Sequence, residues 1–185
     1  MNPNLVPSGV IKDSFDRRER NTMKMFAAFA CPQPKYAEMR QFPHGLKGYF
    51  DLAKAKVCAN VQNKPIFIEF TGHGCMNYKE METRIWSNPQ VLEILKNEYV
   101  MVYIDEKTKL QKEDCYISEY GSKTKKTMGK QNANYQMTKF TNSVQPYYVL
   151  INLNGKILAP TKAYDLEVEN FIDFLKSGIK EFYKN

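Results

Sequence analysis

The chain has 185 residues, 43% of them hydrophobic and 13% aromatic, enough apolar material for one sizeable domain, which excludes global disorder. Its net charge of +7 is spread along the sequence and interleaved with acids, as in EKTKLQKED at 106–114, so no concentrated nucleic-acid-binding face is expected. No apolar run approaches the roughly 20 residues that span a bilayer, and the opening MNPNLVPSGVIKDSFDRRER lacks the apolar core of a signal peptide.

Residues 1–45 are punctuated by Pro3, Pro7, Pro32, Pro34 and Pro43 and read as an arm or linker. Within it, MFAAFAC at 25–31 is too short and too far inside the chain for an export signal, and reads as a helix end or packing arm. The predicted domain runs from 46 to 185. YFDLAKAKVCANVQ has helical spacing, with Leu52, Ala55 and Ala59 on one side and Cys58 as a small buried residue. KPIFIEF at 64–70 is too short and too apolar for a surface helix and predicts a buried central strand. TGHG is a turn, and CMNYKEMETRIW begins a helix. Asn88-Pro89 caps the next helix, PQVLEILKNEY, and YVMVYID at 99–105 predicts a second buried strand.

Residues 106–130 are polar, with a small hairpin expected around Tyr120-Gly121, and 131–141 are predicted helical. PYYVLINLNGKILAP predicts two strands joined at Asn154-Gly155. From Asp165 an amphipathic helix closes the chain, with Phe171, Phe174, Leu175 and Ile179 on one face. Strands alternating with helices and ending in an antiparallel pair predict an α/β fold, a mixed central sheet covered on both faces.

Four cysteines, Cys31, Cys58, Cys75 and Cys115, are scattered without C-x-x-C or zinc spacing. With only His44 and His73 beside them, a structural metal is not expected; one or two disulfides stay open, and spacing does not pair them. Cys75 follows a central strand at the start of a helix, where free N–H groups and the helix dipole favour a thiolate. It reads as a reactive thiol, against the alternative of a packing cysteine in a turn, because the flanking Gly72 and Gly74 leave little bulk to bury its sulfur. Glu69 lies mid-strand, where burial would raise its pKa and suit it as a proton acceptor beneath that sulfur; the alternative is an outward-facing residue on a half-exposed strand. Pro146 opens the late strand after Gln145, and a cis bond there would expose backbone to an extended peptide.

Together these parts resemble the thioredoxin fold. KPIFIEFTGHGCMNYKEMETRIWSNPQVLEILKNEYV, with PHGLKGYFD, YIDEKTKL and VQPYYVLINLNGKIL, is similar to the C-terminal thioredoxin-like domain of DsbD-type thiol:disulfide interchange proteins, in the form found in Bacteroidetes. The similarity covers about residues 43–182, with an insertion near 106–139. It implies that Cys75 is the nucleophile, Glu69 the buried acid and Pro146 the cis-proline of a substrate groove that also includes Gln145 and Gly74. It further implies a periplasmic domain that takes electrons from a membrane domain and passes them to other thiol or disulfide proteins, with no metal or organic cofactor. The departure is Tyr78, which stands where the family has its second cysteine. A phenol forms no S–S bond, so dithiol turnover through this motif alone is chemically excluded. What remains is a monothiol resolved from outside or by Cys115 or Cys58, or a peptide-binding or scaffolding module that has lost catalysis.

Overall fold

The computed structural model describes residues 31–32, 42–71, 76–103, 116–117, 124–125 and 128–184. The chain divides into two units, Met1–Cys31 and Pro32–Asn185, and the second carries the sheet and its helices.

After a 3₁₀ turn at Pro43–Gly45, strand β1 takes only Gly48–Tyr49. Helix α1, Leu52–Gln62, starts at Asp51, whose carboxylate accepts from Ala53 N at 2.8 Å and Lys54 N at 3.4 Å. The helix therefore begins later than its periodicity suggests, and Tyr49 belongs to a strand. Strand β2, Ile66–Phe70, is buried at every position. Helix α2, Met76–Met81, passes into a π-helical turn, Glu82–Trp86. Asn88 then caps α3, Pro89–Glu98, its side-chain oxygen accepting from Gln90 N at 3.0 Å and Val91 N at 3.3 Å. Strand β3 is Val100–Tyr103. Short strands β4, Tyr116–Ile117, and β5, Thr124–Lys125, pair antiparallel, which places the small hairpin where the polar segment predicted one. Helix α4 is Met128–Phe140, β6 is Tyr147–Ile151 and α5 is Val168–Phe182.

The main sheet has the order β1-β3-β2-β6. β1, β3 and β2 run parallel, and β6 pairs antiparallel with β2. The fold class is thus as predicted: a mixed sheet flanked by helices. The predicted last hairpin turns at Gly155, with φ of 86°. Its second strand does not form a ladder, and only isolated bridges at Ile157 and Lys162 return to the sheet. Pro160 lies between them and has no N–H to donate.

One face of the sheet presents Phe67, Met101, Tyr148 and Leu150 to a core closed by Met81, Ile85, Trp86, Val91, Leu95, Phe171 and Leu175. On the other, Phe70 stacks on Tyr135 and meets Phe140 edge-on, which docks α4. Phe171, Phe174 and Leu175 are buried and Ile179 packs against the same core, as the predicted stripe of α5 requires.

Candidate functional site

The site gathers at the end of β2. Phe70 pairs with Tyr147, so the chain leaves β2 at Thr71 beside the point where it enters β6 at Pro146. Cys75 and Gly74 lie outside the described residues, as does Cys115. In the chain Cys75 directly precedes Met76, the first residue of α2.

Glu69 is fully buried. It sits in the centre of the sheet, paired with Tyr103 of β3 on one side and Tyr148 of β6 on the other. The half-exposed-strand alternative therefore falls: this carboxyl is an interior group, and burial of a charge is costly without compensation.

Tyr78 is also interior, at 4% exposure. Its phenol oxygen accepts a hydrogen bond from the Tyr103 hydroxyl at 2.7 Å. Tyr103 is the register neighbour of Glu69, and its ring lies with that of Tyr78 inside an aromatic shell. Phe50 and Phe42 supply that shell, with Phe42 ring centroids 5.4 Å from Phe50 and 5.3 Å from Tyr103.

The Gln145–Pro146 peptide bond is cis. Just before it, the backbone of Val144 is held at both polar groups. Gln136, a buried side chain of α4, donates to the Val144 carbonyl at 2.9 Å, and the Asn142 side chain accepts from the Val144 N–H at 2.7 Å. Met76 and Val144 are both largely exposed, at 75% and 51%, one beside Cys75 in sequence and the other two residues before Pro146.

Cys58 is buried in α1 and, like Cys31, is disulfide-bonded. It is thus neither a lone packing residue nor an available thiol in this state. Gln62 donates to its sulfur at 3.3 Å.

A parallel β2–β3 pair, an antiparallel β6 entered through a cis proline, a helix opening after β2 and a buried acid in β2 together define the fold around this site. A family model described as thioredoxin-like matches residues 47–152. The chain belongs to the thioredoxin-like family. Among solved structures, this thioredoxin-like chain is similar to a DsbH oxidoreductase, with 19% identity and a TM-score of 0.53 over 80% of this chain and 93% of that one. It is also similar to a thioredoxin from Thermus thermophilus, with 15% identity and a TM-score of 0.51 over 71% and 85% of the two chains. At these identities the likeness is one of fold. No curated protein matches the sequence.

Sequence reasoning passed over Tyr103, Phe42, Gln136 and Asn142, and weighed His44 only as a metal ligand. Tyr103 and Phe42 look like ordinary core aromatics, and the Gln136 bond spans two elements that no local pattern links. Gln136 carries no signal in the sequence, and its burial is seen only in the structure.

Proposed function

We propose that this thioredoxin-like domain is a thiol:disulfide interchange protein of the DsbD type that works as a monothiol through Cys75. The observation that carries this reading is the state of the other candidate groups. Cys58 is held in a disulfide, and Tyr78, which the family resemblance aligns with a second cysteine, is a buried phenol. The Cys75 thiolate attacks one sulfur of a partner disulfide, forming a mixed disulfide and releasing the other sulfur as a thiolate. An external thiol then attacks the partner's sulfur and frees Cys75, its own sulfur ending in the new disulfide. Glu69 is the proton acceptor for this thiol. In this reading the cis Gln145–Pro146 bond borders the groove for the partner chain.

The partners in this reading are thiol- or disulfide-containing proteins of the periplasm, with a membrane domain as electron donor. The names of the similar structures, an oxidoreductase and a thioredoxin, agree with it. Among the described residues no helix is long and apolar enough to cross a membrane.

A second reading, a non-catalytic peptide-binding module, draws on the same Tyr78: a phenol hydrogen-bonded into the core serves packing rather than turnover. The two readings separate on the reactivity of Cys75. Its alkylation rate, followed against pH by peptide mapping, is expected to titrate well below the ~8.5 of an ordinary thiol. Tyr78→Cys is expected to gain reductase activity, with Tyr78→Ala as the control for the cavity both changes leave. An ordinary thiol together with an inert Tyr78→Cys variant favours the binding module.

A further inference from the structure

The helix that follows Cys75 is tied down from outside the family-matched stretch. Residues Phe42–Gly45 precede that stretch, which starts at 47, and they touch the helix system at two places. The His44 ring nitrogen Nε2 lies 2.8 Å from the backbone carbonyl of Glu82, the first residue of the π-helical turn. A carbonyl only accepts, so Nε2 carries the proton and His44 is the donor. Phe42, two residues earlier, packs on Tyr103, whose hydroxyl holds the phenol of Tyr78.

The backbone is shaped for this. His44 has φ of 54° and Gly45 has φ of 70°, two successive left-handed residues. Histidine adopts that region more readily than most side chains, but it remains uncommon outside glycine. The turn closes with Leu46 N donating to the Pro43 carbonyl at 3.1 Å. π-helical turns concentrate at functional sites, and here the turn carries Ile85 and Trp86 fully buried beneath it. Met76–Trp86 is therefore anchored in the core by Tyr78, Met81, Ile85 and Trp86, and at its surface by His44 on Glu82. Glu80 adds a further surface tie, accepting from Tyr164 at 2.5 Å.

We propose that His44, carried on the Phe42–Gly45 strap, is a positioning residue for the helix that begins after Cys75. It sets the reactivity of the thiol through its hold on Glu82. The proposal rests on the monothiol reading of Cys75.

The test uses the full chain with His44→Ala and His44→Gln, the latter retaining an N–H donor. Two readouts are taken: hydrogen exchange of the amides from Met76 to Trp86, and the alkylation rate of Cys75 by peptide mapping. Loss of one exposed hydrogen bond is expected to speed exchange in His44→Ala about two- to tenfold. The Cys75 rate should shift in the same variant, and His44→Gln should restore most of both. Emission from Trp86, the single tryptophan, checks that the core under the turn stays closed. Unchanged exchange in His44→Ala overturns the proposal. Faster exchange with an unchanged Cys75 rate overturns it as well, because the strap then holds the helix without tuning the thiol. A wild-type Cys75 that reacts as an ordinary thiol counts against the monothiol reading alone; the response of exchange and rate to His44→Ala still decides the role of the strap.

Discussion

In the proposed monothiol reading, Tyr78 is the residue on which the site turns. A resolving thiol at this place would be small and reactive; the phenol is large, buried and acceptor to the Tyr103 hydroxyl. The packing of this phenol has a measurable energy. Tyr78→Phe removes the acceptor from a buried hydroxyl and is expected to lower stability by about 1–2 kcal/mol. Tyr103→Phe should cost less, since it takes away the donor and leaves the Tyr78 oxygen, which can still donate. The double variant should be less destabilised than the two singles added together, because the lost partner and the group that needed it disappear at once. Urea unfolding of the four proteins measures the cycle; strict additivity would show that the phenols do not interact. The same reasoning sets a limit on Tyr78→Cys, which vacates most of a buried ring and carries a large-to-small penalty of about 3 kcal/mol. Activity of that variant must therefore be read where the protein is still folded.

At the scale of elements, close approach governs. Helix α5 lies on β6 and on the end of α3 through Gly178. A Cβ there would strike Leu150 Cδ1 and stand 2.7 Å from the Tyr99 hydroxyl. That hydroxyl donates to the Leu175 carbonyl at 2.6 Å, inside the core, so it has little room to yield. Burial, with a smaller contribution from Glu98, pushes the Tyr99 phenol well above its ordinary range, and it stays a neutral donor at any physiological pH. Two effects oppose each other in Gly178→Ala. Helix propensity favours alanine by about 1 kcal/mol, while overpacking of a filled core costs typically 1–3 kcal/mol. With two rigid neighbours the steric cost wins, and a net loss of about 1–2 kcal/mol is expected by denaturant unfolding. A stabilised variant would mean that α5 shifts outward at no cost.

For the Pro32–Asn185 unit as a whole, one apolar core joins β2, β3 and β6 to α3, α5 and the π-helical turn. Trp86 stands in the middle of it, fully buried, with its ring 5.8 Å from Phe67 and 6.3 Å from Tyr148. A core of this kind is expected to open cooperatively. The slowest amides of β2, β3 and β6 should share one opening free energy, equal to that obtained from Trp86 emission under denaturant. A separate, lower value for β6 would show that the antiparallel edge opens by itself. The short β4–β5 pair is outside this sheet, and its amides should exchange faster.

Much of this architecture is legible without coordinates. The IFIEF run marks a strand because a central parallel strand is apolar on both faces. Asn88-Pro89 marks a helix start because the cap and the fixed φ of proline act within a few residues. The Asn154-Gly155 turn and the stripe of α5 follow from equally local rules, whereas the interior place of Glu69 was decided by the structure. By itself, then, the sequence determined the fold class and the order of most of its helices and strands. What only the tertiary structure decided are relations between distant residues: Tyr103 on Tyr78, His44 on Glu82, Gln136 on Val144, the disulfide state of Cys58, and the two-residue β1 that joins the sheet through β3. Each depends on where whole elements dock, which is set by summed burial and close packing over the entire core. No window of neighbouring residues contains that sum.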